Sequence, residues 1–247
     1  MPKNKFANMT IHPNSAKLSA GNFKVERSAW HKGNLNYFPA KKEQFADLNT
    51  LAKEFVFKGF GPDSPIFGDG DKVVTMGSCF ADRLRAWLNA NGKGTTYINV
   101  PEGLNNSFAV RQYLEWALTG DRSTDAYWYD NDKTLGAFQW QPDQEQQRLL
   151  QHFKEVSAVV VTFGLGEVWK DVETNNVFWR GVPAKFYDPS KHKCVTSTVQ
   201  ENVDNMKRIV DLIQTHAGAD TAVIFTLSPV PLNATFTNRP TIAVSYT

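Results

Sequence analysis

The chain has 247 residues, 41% of them hydrophobic and 13% aromatic, enough to bury the core of one large domain or of a domain plus an extension. Its 27 basic and 25 acidic residues leave a net charge of +2, which offers no broad basic field to nucleic acid, and no run approaches the roughly 20 apolar residues that span a bilayer. Cys79 and Cys194 are the only cysteines, too few for a disulfide framework or an all-cysteine zinc site, and the N-terminus lacks a signal-peptide pattern, so a soluble, cytoplasmic protein with two free thiols is expected.

Residues 1–70 mix lysine, Asn, Gly and Pro with scattered aromatics such as Phe38, Phe45 and Phe60, and read as an extension packed on the core that follows. Within it a helix is expected from Lys42 to Phe57, before a loop punctuated by Gly59, Gly61, Pro62, Pro65, Gly68 and Gly70. Val73, Val74 and Met76 then form a buried strand, and Phe80, Leu84, Trp87 and Leu88 recur at helical spacing up to Asn91-Gly92. Thr95 to Asn99 reads as a second strand, Ser107 to Leu118 as a helix capped by Ser107, Trp128 to Gln141 as an aromatic loop or hairpin, and Asp143 to Glu155 as a further helix. Ala158 to Phe163 is a continuous apolar strand. Thr198 to Ala217 is an amphipathic helix opened by the capping box Thr198-x-x-Glu201, and Ala222 to Leu227 is the last strand. This alternation predicts an α/β domain over residues 71–247: a three-layer, doubly wound, mainly parallel sheet of flavodoxin-like type, whose ligands bind beyond the carboxyl ends of the strands.

The loops at that edge carry the chemistry. Lys72 to Ala81 breaks an apolar run at Gly77 and delivers Ser78 and Cys79 to a helix start, where free N–H groups and the helix dipole draw a thiol toward its anion. A small turn around a buried cysteine would use the same letters. After the second strand, Gly103 can offer a backbone N–H and Asn105 or Asn106 a side-chain amide to a developing oxyanion. After the third, Gly164 and Gly166 let backbone approach a substrate, Glu167 can orient a base or bind a hydroxyl, and Trp169 can stack on a sugar face. After the fourth comes Ser228-Pro-Val-Pro231. Of the five histidines, His12 and His31 lie in the extension and His152 and His216 fall late in helices, which leaves His192 in a long loop as the candidate base. No metal-ligand, Walker or dinucleotide motif is present, so neither metal nor cofactor is expected.

Taken together these segments resemble the GSCFA family, named for the motif that stands here as Gly77-Ser-Cys-Phe-Ala81, within the wider SGNH/GDSL hydrolase group. The Asn99 to Ser107 segment is similar to the family's Asn-Pro-x-Gly block, Thr162 to Trp169 to its Thr-x-Gly-x-x-Glu-x-Trp block, and Phe225 to Pro231 to its Thr-Val-Ser-Pro-Val block, over about residues 55–247. The resemblance implies hydrolysis or transfer of ester (O-acyl) groups, often on carbohydrates, through an acyl-enzyme. It aligns Cys79 with the nucleophile, with Ser78 kept as the alternative, and sets Gly166 where the larger group has an oxyanion-binding Asn. The larger group's C-terminal Asp-x-x-His block has no counterpart before Thr247, so the sheet is expected to be incomplete at that end, with the base supplied beyond it, by another subunit or by His192, or with activity lost. The competing expectations are a non-catalytic carbohydrate-binding protein, using Trp169, Trp128 and Trp140 as stacking platforms in the same cleft, and an assembly protein.

Overall fold

A computed structural model describes residues 42–57, 61–62, 64–98, 105–121, 142–178, 181–182, 184–228 and 233–239. The chain divides between Pro65 and Ile66 into two units. In the first, the expected single helix is broken: a 3-10 turn at Lys42–Phe45 is followed by α1 (Leu48–Leu51) and a wider π-helical turn at Ala52–Val56. The break is local chemistry. Asp47 adopts extended backbone, accepts from the N–H groups of Asn49 and Thr50, and so starts a new helix where the sequence suggested continuity.

In the second unit the order is β1 (Val73–Gly77), α2 (Cys79–Ala90), β2 (Thr95–Ile98), α3 (Ser107–Thr119), α4 (Pro142–Phe153), β3 (Ala158–Phe163), β4 (Glu167–Asp171), β5 (His192–Thr196), α5 (Val199–Ala217) and β6 (Ala222–Leu227). Strands β2, β1, β3 and β6 lie in that order, all parallel, in one sheet. All five residues of β1 and all six of β3 are buried, which is why both are predominantly apolar, each broken by a single threonine, rather than alternating. Side chains of β1 and β3 divide between the two faces. Val74, Met76, Val159 and Val161 pack under α3, α4 and α5 with Trp116, Phe153 and Ile209, whereas Val73, Ala158 and Val160 meet Leu84 and Leu88 of α2. The result is an α/β fold with a mostly parallel sheet flanked by helices.

Three local expectations need correction. Asn106, not Ser107, caps α3: its Oδ1 accepts from the N–H of Ala109 at 2.9 Å, while the Ser107 hydroxyl donates to Asn202 Oδ1 at 2.6 Å. Helix α4 stops at Phe153 rather than Glu155, whose φ of 59° lies in the left-handed region. The segment expected as a long loop holds an antiparallel hairpin, β4 with β5, pairing Glu167 with Thr196 and Asp171 with His192. Buried Lys170 anchors this hairpin: its ammonium lies 3.0 Å from Glu201 Oε1 at the start of α5 and above the Phe108 ring of α3. The Trp128 to Gln141 segment, with Trp128 and Trp140, lies outside the described residues, as do the extension before Lys42 and the segment after Arg239.

Candidate active site

The direction of winding reverses across this sheet. From β1 the chain moves outward to β2, then returns past β1 to β3 and on to β6, so the carboxyl ends of β1 and β3 flank the switch point where open α/β sheets bind ligands. Gly77 ends β1 opposite Thr162 with φ of 112°, and a Cβ there would stand 2.7 Å from Thr162 Oγ1 and closer still to its carbonyl oxygen. Only glycine turns the chain sharply against β3 at this spot.

The two residues after Gly77 have different fates. The Ser78 N–H donates to Thr162 Oγ1 at 2.6 Å, and the two hydroxyl oxygens lie 2.8 Å apart. Thr162 Oγ1 also lies 3.3 Å from the Met76 carbonyl, which can accept its one proton, leaving the Ser78 hydroxyl to donate to Thr162. Ser78 is half-buried, and its side chain caps no helical N–H. Cys79, the first residue of α2, is an exposed free thiol. The amide hydrogens of the first turn of α2 therefore face this edge without a side-chain acceptor, an arrangement that favours negative charge. Nearby, the Tyr97 phenol is held above its ordinary range, first by burial and then by the acidic groups of Asp82 and Cys79.

On the β3 side, the carbonyl of Asn105 accepts from the N–H groups of Gly164 at 2.8 Å and Leu165 at 3.1 Å, and the Ser228 N–H donates to Phe163. Gly164 thus sits between the Asn105 and Ser228 side chains. Gly166 turns its carbonyl to Ser197, which donates to it from both N–H and hydroxyl. Asn202 donates in turn to the Ser197 hydroxyl, and Asn205 to that of Ser107. This buried chain of hydrogen bonds fixes the base of the hairpin and the start of α3 against α5. Gly103 lies outside the described residues.

Glu167 is buried and fully engaged. Its Oε2 accepts from the Phe236 N–H at 2.9 Å, and its Oε1 accepts from the Thr237 N–H at 2.8 Å and from the Thr237 hydroxyl. The carboxylate acts as a latch on residues 236–237. Trp169 is half-buried, with Tyr187 and Phe236 edge-on to its ring at 5.7 and 5.3 Å. Both residues, with Asn106, Leu165, Phe178 and Phe236, line a cavity of about 250 Å³.

His192 stands at the distal end of the hairpin, four residues from Thr196 and so about 14 Å along the strand from the Glu167 pairing. Its Nδ1 accepts from the Asp188 N–H at 3.1 Å, and its ring packs against Phe178 and Tyr187. Its partners all belong to the hairpin and its connecting segment, and none to the Gly77 turn. Cys194 is half-buried, its thiol pushed up to about 12 by burial and then by Glu167. Among the described residues no group of three or more His, Cys, Asp or Glu could hold a metal ion. No described helix is long and apolar enough to cross a membrane.

Thr162, read in the sequence only as the first residue of the Thr-x-Gly-x-x-Glu-x-Trp block, is the side chain that engages Ser78 at the turn. Its signal was present as the single polar residue in the run Ala158-Val-Val-Val-Thr-Phe163. A family model described as GSCFA family matches residues 72–243. No curated protein and no solved structure matches the chain.

Proposed function

We propose, for a chain that belongs to the GSCFA family, that the turn after β1 is the nucleophilic centre of an SGNH-like hydrolase or acyltransferase acting on ester (O-acyl) groups, carbohydrate esters among them. The relation to the SGNH/GDSL group and its three-layer arrangement belongs to this reading. The observation that carries it is the division of labour at the turn: the Ser78 hydroxyl is tied to Thr162, whereas the Cys79 thiol is exposed at the first position of α2 beside the switch point. A thiol is also the less dependent of the two on a positioned base, because it is intrinsically the stronger nucleophile.

The chemistry balances without a cofactor. Sγ of Cys79 attacks the ester carbonyl, the acyl carbon–sulfur bond forms as the carbon–oxygen bond breaks, and the departing alcohol carries off the thiol proton. Water, or an acceptor hydroxyl in transfer, then attacks the thioester and restores the thiol. The Cys79 N–H and the Asn105 side-chain amide, with Gly103, are the donors assigned to the tetrahedral oxyanion. Glu167 is a positioning residue in this scheme, since its oxygens hold residues 236–237.

The test is acylation by p-nitrophenyl acetate, followed by intact mass and peptide mapping. One acetyl group per chain on Cys79 is expected, retained in Ser78→Ala and absent in Cys79→Ala. Labelling that survives Cys79→Ala would refute the assignment. The Trp169 side of the cavity favours a second reading, glycan binding without turnover, and full-strength glycan binding by Cys79→Ala with no turnover by the parent would select it.

A further inference from the structure

The cavity beside the hairpin has a chemical character of its own, and neither Ser78 nor Cys79 lines it. Leu165, Val168 and Ala234 give it aliphatic wall, and Trp169, Phe178 and Phe236 give it aromatic wall. Its polar side chains are Asn106, 4% exposed, the Glu167 carboxylate held by residues 236–237, and the exposed Asn233 at the outer wall. The Asn106 Oδ1 is committed to capping α3 at Ala109, which fixes the orientation of the amide and leaves Nδ2 with no acceptor among the described residues. An N–H₂ group that lines the cavity without a protein acceptor can donate to a ligand oxygen, for a net gain of about 1 kcal/mol. Among the described residues no basic side chain lines the space, and the Glu167 carboxylate stands in its wall, so an anion is disfavoured there. At about 250 Å³ the space is smaller than a drug-sized site, yet it exceeds the roughly 150 Å³ that admits a benzene-sized molecule.

We infer that this cavity is a binding site for a neutral, ring-sized apolar group bearing one carbonyl oxygen, which accepts from Asn106 Nδ2 while the apolar body lies against Trp169 and Phe178. Residues 233–237 form the outer wall, and Glu167 holds that wall in place through Phe236 and Thr237. The site stands independently of the thiol chemistry at Cys79.

Three probes of similar shape separate its properties: acetophenone, ethylbenzene, which lacks the acceptor, and benzoate, which carries charge. Each is titrated into the full chain and followed by ¹H–¹⁵N NMR at the Trp169 indole and at the Phe236 and Thr237 amides. Acetophenone is expected to shift these signals saturably, to bind about fivefold more tightly than ethylbenzene, the ratio supplied by one neutral hydrogen bond, and to outcompete benzoate, which leaves them unmoved. Asn106→Asp keeps a good helix cap but carries acceptors only, so it should abolish the preference of acetophenone over ethylbenzene. Gly181→Leu supplies a second variant: its added Cβ stands 3.5 Å from Trp169 Nε1, and the side chain should fill the cavity and abolish binding of both probes. The same titration of Cys79→Ala should be unchanged, so failure at the thiol and failure at the cavity are read separately. Absence of shifts with acetophenone, benzoate binding as tightly, or a preference that survives Asn106→Asp would overturn the assignment.

Discussion

Replacing Gly77 by alanine tests whether the turn is built as argued. The residue has φ of 112°, a region occupied essentially by glycine alone, and holding another residue there costs about 1–3 kcal/mol. The new Cβ would also lie 2.7 Å from Thr162 Oγ1 and 3.1 Å from its carbonyl carbon, with the carbonyl oxygen nearer than either. That carbonyl belongs to a fully buried central strand and yields only if β3 shifts, an overpacking cost of about 1–3 kcal/mol more. The sum centres near 4 kcal/mol, large for a single methyl group. At a urea slope of about 3 kcal/mol/M, the unfolding midpoint of Gly77→Ala should fall by about 1.3 M. Adding Thr162→Ala removes the hydroxyl contact but not the carbonyl, so the double variant should gain little back. A midpoint within about 0.3 M of the parent, or full rescue by Thr162→Ala, would refute the reasoning.

The two thiols should separate under alkylation. With its thiol held near 12 rather than 9, Cys194 carries about a thousandfold less thiolate than an ordinary cysteine at the same pH, so iodoacetamide at pH 8 should modify Cys79 and spare Cys194 in native protein. The same displacement sets a sign for stability. Between pH 9 and 12 the unfolded chain releases the Cys194 proton while the native state keeps it, so this contribution is intact below pH 9 and is lost as pH rises toward 12. Cys194→Ala should accordingly flatten the alkaline limb of a stability profile measured by urea titration. Glu167→Gln replaces a charged acceptor with a neutral amide and should accelerate hydrogen exchange at the Phe236 and Thr237 amides by about tenfold or more, as expected when bonds to a charged acceptor weaken by about 1.5 kcal/mol. Around Lys170, Glu201→Gln should destabilise more than Lys170→Met in thermal melts, because the first strands a buried ammonium and the second replaces it with apolar bulk.

Much of the fold is legible in the sequence where one element's burial is decided by its own residues. Ala158 to Phe163 is apolar but for Thr162 because both faces of β3 are covered, and Thr198 with Glu201 caps α5 through bonds confined to four residues. The hairpin is not legible in that way. Glu167-Val-Trp-Lys-Asp171 places a lysine on a buried position, and the reason lies in Glu201 and Phe108, distant in sequence. The engagement of Glu167 depends on Phe236 and Thr237, some seventy residues later, so its chemistry type could be read but not its partners. The cap of α3 fails for a smaller reason. Asn106 and Ser107 are both good capping residues, and the choice is settled by α5, whose Asn202 and Asn205 take the Ser107 hydroxyl.

The same distinction explains why adjacent residues at the β1 turn end up in opposite environments. In a parallel sheet whose winding reverses between β1 and β3, the residue leaving β1 must cross the end of its neighbour, and the neighbour's side chain decides what that residue can do. Here β3 presents Thr162, a hydroxyl able to accept the Ser78 N–H and engage the Ser78 Oγ together. Ser78 is thereby made part of the scaffold, and the next position, Cys79, is the first free of the strand and the first to begin the helix. A valine at 162 would fill the same space without either bond, leaving the Ser78 N–H unsatisfied and its hydroxyl free to turn outward. The proposed assignment of the reactive position to 79 rather than 78 therefore rests on one oxygen atom contributed from the opposite side of the switch point.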